Sequence, residues 1–112
     1  MTTSRLDKPA ALVDLINYQD GSVVSQALMK AQSGTVTVFA FDAGEGLSEH
    51  AAPFDALLFV VDGRATVRIG GEDQTMNGGE VILLPASVPH AVQAVDRFKM
   101  LLIMIRDTAR DL

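Results

Sequence analysis

The chain contains no cysteine and no tryptophan, and only two of its 112 residues are histidine. Without cysteine the protein can form neither a disulfide bond nor a thiolate nucleophile, which agrees with a reducing compartment. We therefore expect a cytoplasmic protein. Histidine is a common metal ligand and a general acid or base near neutral pH. Any imidazole chemistry in this chain must use His50 and His90.

Long apolar runs and clusters of positive charge are also missing. No apolar stretch approaches the roughly 20 residues that a membrane-spanning helix needs, and residues 1–9 lack the apolar segment of a signal peptide. The nine Lys and Arg residues are scattered and are outnumbered by 14 Asp and Glu residues, for a formal net charge of -5. Because nucleic acids and anionic membranes attract clustered positive charge, we expect neither as a partner.

Hydrophobic residues make up 48% of the chain, which is enough for the core of one domain. They occur in short runs separated by Gly, Pro, Asp and Asn, a pattern typical of all-β sandwiches and barrels. Gly70 and Gly71 indicate a tight hairpin turn, because glycine adopts positive φ without steric cost. We predict strands at Ser22–Ala31, Thr35–Asp42, Ala56–Asp62, Arg64–Ile69, Glu80–Leu84, Pro89–Val95 and Phe98–Arg106.

The first twenty residues have a different pattern. Leu12, Leu15 and Ile16 share one face of a helix, and Pro9 suits a first helical turn. This pattern predicts a short helix or an arm that packs against the barrel. We therefore divide the chain into an N-terminal arm, residues 1–20, and a β-barrel domain, residues 21–112.

Both histidines lie in segments that resemble the two sequence motifs of the cupin superfamily. In the first motif, a glycine is followed after five residues by His-x-His, then after three or four residues by Glu, and after six more by Gly. In the second motif, a glycine is followed after five residues by Pro-x-Gly, then after two residues by His, and after three more by Asn. The resemblance is to small single-domain cupins of the cupin 2 conserved-barrel type. It implies a double-stranded β-helix, or jelly-roll, barrel over residues 35–106. The matching positions are Gly44, His50 and Gly63 in the first motif, and Gly79, Pro85 and His90 in the second.

The chain departs from the metal-binding form of these motifs. Metal-binding cupins use three histidines and the glutamate as ligands, whereas Ala52 and Ala56 occupy two of those four positions here. The resemblance therefore implies a degenerate metal motif that retains His50 and His90. Two neutral imidazoles make a weak metal site unless carboxylates or waters complete it. We predict that a divalent metal, if bound at all, is weakly held.

The two histidines are expected to converge in one pocket. His90 shares strand parity with Val92 and Ala94, an apolar face that we expect to point into the barrel. If the segment that contains His50 pairs with this strand, both imidazoles lie in the barrel interior. A buried polar group needs a partner, and the simplest alternative is that the two rings satisfy each other or a water.

Two further polar residues are candidates for the same pocket. Asp55 directly precedes the position where metal-binding cupins carry the glutamate, and Gln26 interrupts an otherwise apolar strand. The alternative for both is an ordinary solvated or hydrogen-bonded side chain, because polar residues are mostly exposed.

These features leave three kinds of function open. The first is binding of a small molecule, with or without a weakly held metal, in the barrel pocket around His50 and His90. The second is a cupin enzyme: a metal-dependent oxygenase or isomerase, as the resemblance implies, or a histidine-based acid–base catalyst without metal. The third is a structural module that forms oligomers. The residues do not specify the ligand.

Two strand segments, Leu57–Val61 and Met100–Ile105, are apolar on both faces. One face of each can line the barrel, but the other face also needs cover. Large exposed apolar patches usually mark an interface, and twofold pairing is the commonest closed arrangement. We therefore expect a homodimer. The competing possibility is that Ala10–Ile16 covers these strands within one chain.

Overall fold

The computed structural model describes residues 6–106, which form nine β-strands preceded by a 3-10 turn at Leu12–Asp14. All strand pairs are antiparallel, and the strands form two sheets, with orders β1-β2-β9-β4-β7 and β3-β8-β5-β6. This is the predicted all-β jelly-roll barrel. The strands are β1 Val23–Ala31, β2 Gly34–Phe41, β3 Gly46–His50, β4 Asp55–Asp62, β5 Arg64–Ile69, β6 Glu72–Asn77, β7 Val81–Leu84, β8 His90–Ala94 and β9 Phe98–Ile105.

The core lies between the two sheets, because strand alternation turns one face of each sheet inward. The five-stranded sheet contributes Phe41, Leu58 and Phe98, and the four-stranded sheet contributes Val67 and Val92. Each of these side chains is at most 4% exposed. The rings of Phe41 and Phe98 stack with their centroids 4.4 Å apart. The inner faces of both sheets therefore form one continuous core.

The sequence pattern predicts seven of these strands and misses β3 and β6. Both are edge strands of the four-stranded sheet. In β6 only Met76 is buried, and in β3 no side chain is buried. An edge strand that places so few side chains in the core lacks the alternation of apolar and polar residues by which a strand is recognised. The sequence pattern therefore does not identify β3 and β6, because their composition is mostly polar.

The expected N-terminal helix or arm is an arm that includes the 3-10 turn at Leu12–Asp14, and residues 6–106 contain no α-helix. An isolated helix of about seven residues is unstable in water, so apolar spacing alone does not produce one. The described part of the arm lies on the outer face of the five-stranded sheet. There the Nζ of Lys99 donates a hydrogen bond to the Val13 carbonyl oxygen at 2.6 Å, and the Tyr18 hydroxyl donates to an oxygen of Asp62 at 2.6 Å. The division of the chain at residue 20 remains a prediction.

Another part of this outer face is apolar and exposed. Leu57, Val81, Leu83 and Ile105 project from β4, β7 and β9 and are between 41% and 58% exposed. Leu57 and Ile105 belong to the two segments that the sequence predicts to be apolar on both faces, whereas Val81 and Leu83 belong to β7. The described part of the arm does not bury them. Within residues 6–106, no helix is long and apolar enough to cross a membrane.

Gly63, the last glycine of the first motif, forms the turn between β4 and β5. Its φ of 84° lies in the left-handed region. A Cβ at this position would lie 1.9 Å from the Arg97 carbonyl oxygen and 2.7 Å from the Phe98 Cα. We expect Gly63→Ala to lower the free energy of unfolding by at least about 2 kcal/mol, from backbone strain and steric clash together. Urea denaturation measures this loss.

Gly71 provides the matched control. Its φ is 86°, but a Cβ there would meet no atom within 4 Å. Gly71→Ala therefore carries the backbone strain without the clash, and it should destabilise the protein less than Gly63→Ala. Equal losses of unfolding free energy in the two variants would show that the close approach of β9 to Gly63 does not contribute to the cost of the substitution.

Candidate ligand-binding site

The structure brings His50 and His90 together across the β3–β8 pair. His50 is the last residue of β3, His90 is the first of β8, and the two are register partners. The register shifts between Leu47 and His50. The imidazole centroids are 4.5 Å apart and the ring planes meet at 67°, an edge-to-face arrangement that aromatic rings favour. The pairing of two strands far apart in sequence therefore creates the histidine pair.

Both imidazoles line a cavity of about 300 Å³ between the two sheets. Ala52 and Ala56, at the two vacated ligand positions, line it as well, so methyl groups stand where larger ligand side chains would fill space. The cavity is an apolar pocket in which the two imidazoles are the only polar side chains among the described lining residues. The other lining residues are Phe39, Leu47, Phe54, Leu58, Leu84, Ala91, Val92, Met100, Leu102 and Met104.

A larger depression, of about 610 Å³, lies on the outer face of the four-stranded sheet. Its lining includes Thr66, Gln93 and the ion pair between Arg68 and Asp73, whose N–O distance is 2.7 Å. These groups satisfy one another or face solvent, and neither histidine lies among the lining residues. The barrel cavity, rather than this larger depression, is therefore the candidate functional site.

Each histidine is held by a backbone carbonyl two residues before it. The Nδ1 of His50 is 3.0 Å from the Ser48 oxygen, and the Nδ1 of His90 is 3.2 Å from the Val88 oxygen. A carbonyl oxygen can only accept a hydrogen bond, so Nδ1 carries the proton and donates in both rings. In the neutral imidazole, Nε2 then has an unprotonated lone pair. The backbone thus fixes the same tautomer in both rings.

The environment of His90 disfavours the charged imidazolium. Partial burial lowers the pKa of His90 below its ordinary value of 6.5, the hydrogen bond to the Val88 carbonyl raises it, and the positive charge of a protonated His50 lowers it. Burial has the largest effect because a low-dielectric environment penalises charge. His90 is therefore neutral at physiological pH.

Asp55 supports the loop before β8 and is not among the residues that line the cavity. Its Oδ1 accepts a hydrogen bond from the Ala86 backbone N–H at 2.8 Å. In the same loop, the Ser87 N–H donates to the Ala52 carbonyl at 2.7 Å. Ser87 has a φ of 66°, in the left-handed region, and it occupies the glycine position of the second motif. The loop thus keeps a backbone conformation that suits glycine, although serine occupies the position.

The structure does not bring Gln26 into the cavity either. Gln26 on β1 is the register partner of Val38 on β2. The next residue of β2, Phe39, lines the cavity and therefore points to the opposite face from Val38. Because side chains alternate along a strand, Gln26 lies on the outer face of the five-stranded sheet. A polar residue within an apolar strand does not reveal which face it occupies, and this is why the sequence left its place open.

The residues at the site do not fit the ligand set of metal-binding cupins. Within residues 6–106, no group of three or more His, Cys, Asp or Glu side chains is arranged to hold a metal ion. Zinc sites use at least three protein ligands, and Ala52 and Ala56 can supply none. Weak retention of a divalent metal remains a prediction. The chemistry that these side chains themselves provide is that of two imidazoles in an apolar pocket.

Several cavity-lining residues were not among the pocket residues predicted from the sequence. Met100, Leu102 and Met104 alternate along β9, and this alternation is the signal by which they could have been found. From the sequence, Met100 and Met104 are best interpreted as core filling, which they also provide. Leu47 belongs to β3 and was missed with that strand.

The two antiparallel sheets and the internal cavity define a jelly-roll barrel of the cupin type. Comparison with known proteins supports this class. Residues 37–106 match the family model of the cupin domain. A protein of unknown function from Streptococcus pyogenes has a similar structure, with a TM-score of 0.86 and 31% identity over 89% of this chain and 88% of that one. A cupin superfamily protein from Desulfitobacterium hafniense has a TM-score of 0.86 and 30% identity over 90% and 93% of the two chains.

Because the family model covers more than half of the sequence, the chain belongs to the cupin domain family. A curated relative, an uncharacterised protein of Streptomyces coelicolor, is 34% identical over 62 residues. That match covers 55% of this chain and 59% of the relative, so the chain spans less than two thirds of the length of this relative. Family membership accounts for the fold and leaves the ligand open.

The lowered pKa of His90 predicts a pH-dependent loss of stability. Because the folded-state pKa lies below the unfolded value of 6.5, the contribution of the neutral ring is present above pH 6.5 and is lost as pH falls through the folded pKa. NMR titration of the imidazole carbons measures this pKa directly. The non-titrating variant His90→Gln should lose less stability than the wild type when pH falls from about 7.5 to about 5. A pKa of His90 at or above 6.5 would contradict the prediction.

Proposed function

We propose that the protein binds a small, mainly apolar molecule in the barrel cavity, beside His50 and His90. The observation that carries this proposal is the cavity of about 300 Å³ lined by apolar side chains and two imidazoles. Ligand sites in proteins are mostly apolar, with a few convergent polar groups that fix orientation. The methyl groups of Ala52 and Ala56 favour an organic molecule over a metal complex, because they add apolar space and supply no donor atom.

The enzyme hypotheses receive less support. A metal-dependent oxygenase or isomerase needs an ion held by several ligands, and of the described residues that line the cavity only His50 and His90 are ligands of the cupin type. Acid–base catalysis needs a group that exchanges its proton during the reaction. Nε2 of His50 and of His90 keeps a lone pair that can accept a proton, but none of the described residues that line the cavity carries a carboxylate to assist either ring. Binding without strong catalysis is therefore the function that we favour.

Blocking the cavity tests the proposal. We expect wild-type protein to bind the probe 2-naphthol with one-to-one stoichiometry in isothermal titration calorimetry. Ala52 is half-buried and lines the cavity, so Ala52→Leu should fill part of it and weaken binding at least about tenfold, or roughly 1.4 kcal/mol. The exposed neighbour Ala51 is not among the lining residues, and Ala51→Leu should leave the affinity unchanged.

Two outcomes would count against a binding function in the cavity. One is the absence of 2-naphthol binding to the wild-type protein. The other is binding that Ala52→Leu and Ala51→Leu affect equally, which would place the probe elsewhere on the surface. Circular dichroism of both variants establishes that they are folded before the affinities are compared.

We further propose that the protein forms a homodimer through the outer face of the five-stranded sheet. Leu57, Val81, Leu83 and Ile105 support this assignment, because each is at least 41% exposed and they share one face. Apolar surface of this kind gains free energy when a partner removes it from water. A second copy of the chain offers a self-complementary surface under twofold symmetry.

Light scattering at micromolar concentration tests the dimer. We expect a mass of about twice 11.9 kDa for the wild type. Leu83→Glu places a charge in the proposed interface and should yield a monomer. Val95 is also an exposed apolar residue, at 42%, but it follows β8 in the other sheet, and Val95→Glu should leave the mass unchanged. A wild-type mass near 11.9 kDa would show that the chain needs no second copy.

A further inference from the structure

The two imidazoles offer the cavity hydrogen-bond acceptors and no donors. In both His50 and His90, Nδ1–H is used by a backbone carbonyl, at 3.0 and 3.2 Å respectively, which leaves Nε2 as an acceptor in the neutral ring. The remaining lining residues are Ala, Val, Leu, Phe and Met, and none of their side chains donates a hydrogen bond. Among the side chains of the described lining residues, the two imidazoles are therefore the only polar groups, and each offers a nitrogen lone pair.

The acceptor of His90 is open to a molecule in the cavity. This ring is half-buried, and no residue between 6 and 106 forms a hydrogen bond with its Nε2. Within residues 6–106, however, no buried side-chain nitrogen or oxygen is sealed off without a partner. The Nε2 of His90 must therefore remain reachable. His50 is more exposed than His90. An apolar ligand without a donor would cover these acceptors and remove them from water uncompensated, which is costly.

We propose that the ligand is a neutral, apolar molecule of about two fused rings that carries a hydroxyl group, and that this hydroxyl donates a hydrogen bond to Nε2 of His50 or His90. The proposal rests on the binding function proposed above and specifies its ligand class. The size follows from the volume: an apolar cavity of about 150 Å³ accommodates benzene, and this one is about 300 Å³.

The same surroundings discriminate against an anionic ligand. A carboxylate in the cavity would need a protonated imidazole or another cation as its partner. No Lys or Arg is among the described residues that line the cavity. Partial burial lowers the pKa of His90, and a protonated His50 at 4.5 Å between ring centroids would lower it further. An uncompensated carboxylate loses its hydration when it enters an apolar site. A neutral hydroxyl keeps one hydrogen bond without introducing a charge.

Three probes with the same ring system test this ligand class at about pH 7.5 by isothermal titration calorimetry. They are 2-naphthol, its methyl ether 2-methoxynaphthalene, and 2-naphthoate. We expect 2-naphthol to bind at least about tenfold more tightly than the methyl ether, the effect of about one net hydrogen bond. The ether carries an additional methyl group, which by itself would strengthen apolar binding. We expect 2-naphthoate to bind more weakly than 2-naphthol.

Substitution of the histidines identifies the nitrogen atoms that cause the preference for 2-naphthol over its methyl ether. The double variant His50→Phe, His90→Phe keeps a ring at both positions and removes both acceptors. In this variant the preference for 2-naphthol over the methyl ether should fall to within about twofold, while affinity for the ether changes little. The single variants show which imidazole accepts the hydrogen bond. Ala51→Leu, which leaves the cavity lining intact, should retain the full preference.

Each result separates this inference from the binding function on which it rests. Equal affinities for 2-naphthol and the methyl ether, both abolished by Ala52→Leu, would overturn the hydroxyl inference and leave the binding function standing. Tighter binding of 2-naphthoate would assign the site to anions and overturn it as well. A hydroxyl preference that survives in the double phenylalanine variant would overturn the role of the histidines. Failure of 2-naphthol to bind would overturn the binding function and the inference together.

Discussion

The register of β8 is the constraint on which both the core and the site depend. β8 lies between β3 and β5, and Val92 and Ala94 are almost completely buried on its inner face. Their partners on β5 are Val67 and Ala65, both fully buried. His90 lies at the start of the same inward-facing series. A slip of one residue would turn this entire series to solvent, so the burial of the apolar residues holds His90 in the cavity wall.

Closure of the barrel then determines which part of its interior is filled by side chains and which part remains open. Large side chains fill the space between the sheets around Phe41 and Phe98, whose rings stack at 4.4 Å. Around the histidines, Ala52 and Ala56 supply only methyl groups, and the space remains open. Empty apolar space forfeits dispersion contacts that a filled core would gain. A ligand that occupies the cavity would recover these contacts, so the packing defect and the proposed binding site have the same origin.

The backbone of the motif segments controls the chemistry of the histidine pair. Carbonyl groups of Ser48 and Val88 hold the two Nδ1 protons, and this leaves both Nε2 atoms as acceptors. The loop before β8 is itself held by Asp55 and by the Ser87 N–H. Residues near the site thus act by positioning a loop whose carbonyl orients an imidazole. The described part of the arm, on the far side of the five-stranded sheet, is held by polar contacts of Lys99 and Tyr18 and contributes none of the residues that line the cavity.

The sequence by itself determined the all-β class, seven of the strands and the choice of the two histidines as site residues, because strand alternation and motif spacing are local patterns. The parity of His90 with Val92 and Ala94 was sufficient to predict its inward direction. The tertiary structure alone decided that Gln26 lies on an outer face and that Asp55 holds a loop. It also revealed β3 and β6 and fixed the tautomers of both rings. These features depend on partners distant in sequence, as when His50 pairs with His90 or β2 with β9. Which distant strands pair, and in which register, is determined by burial of the whole core and cannot be deduced from any single segment.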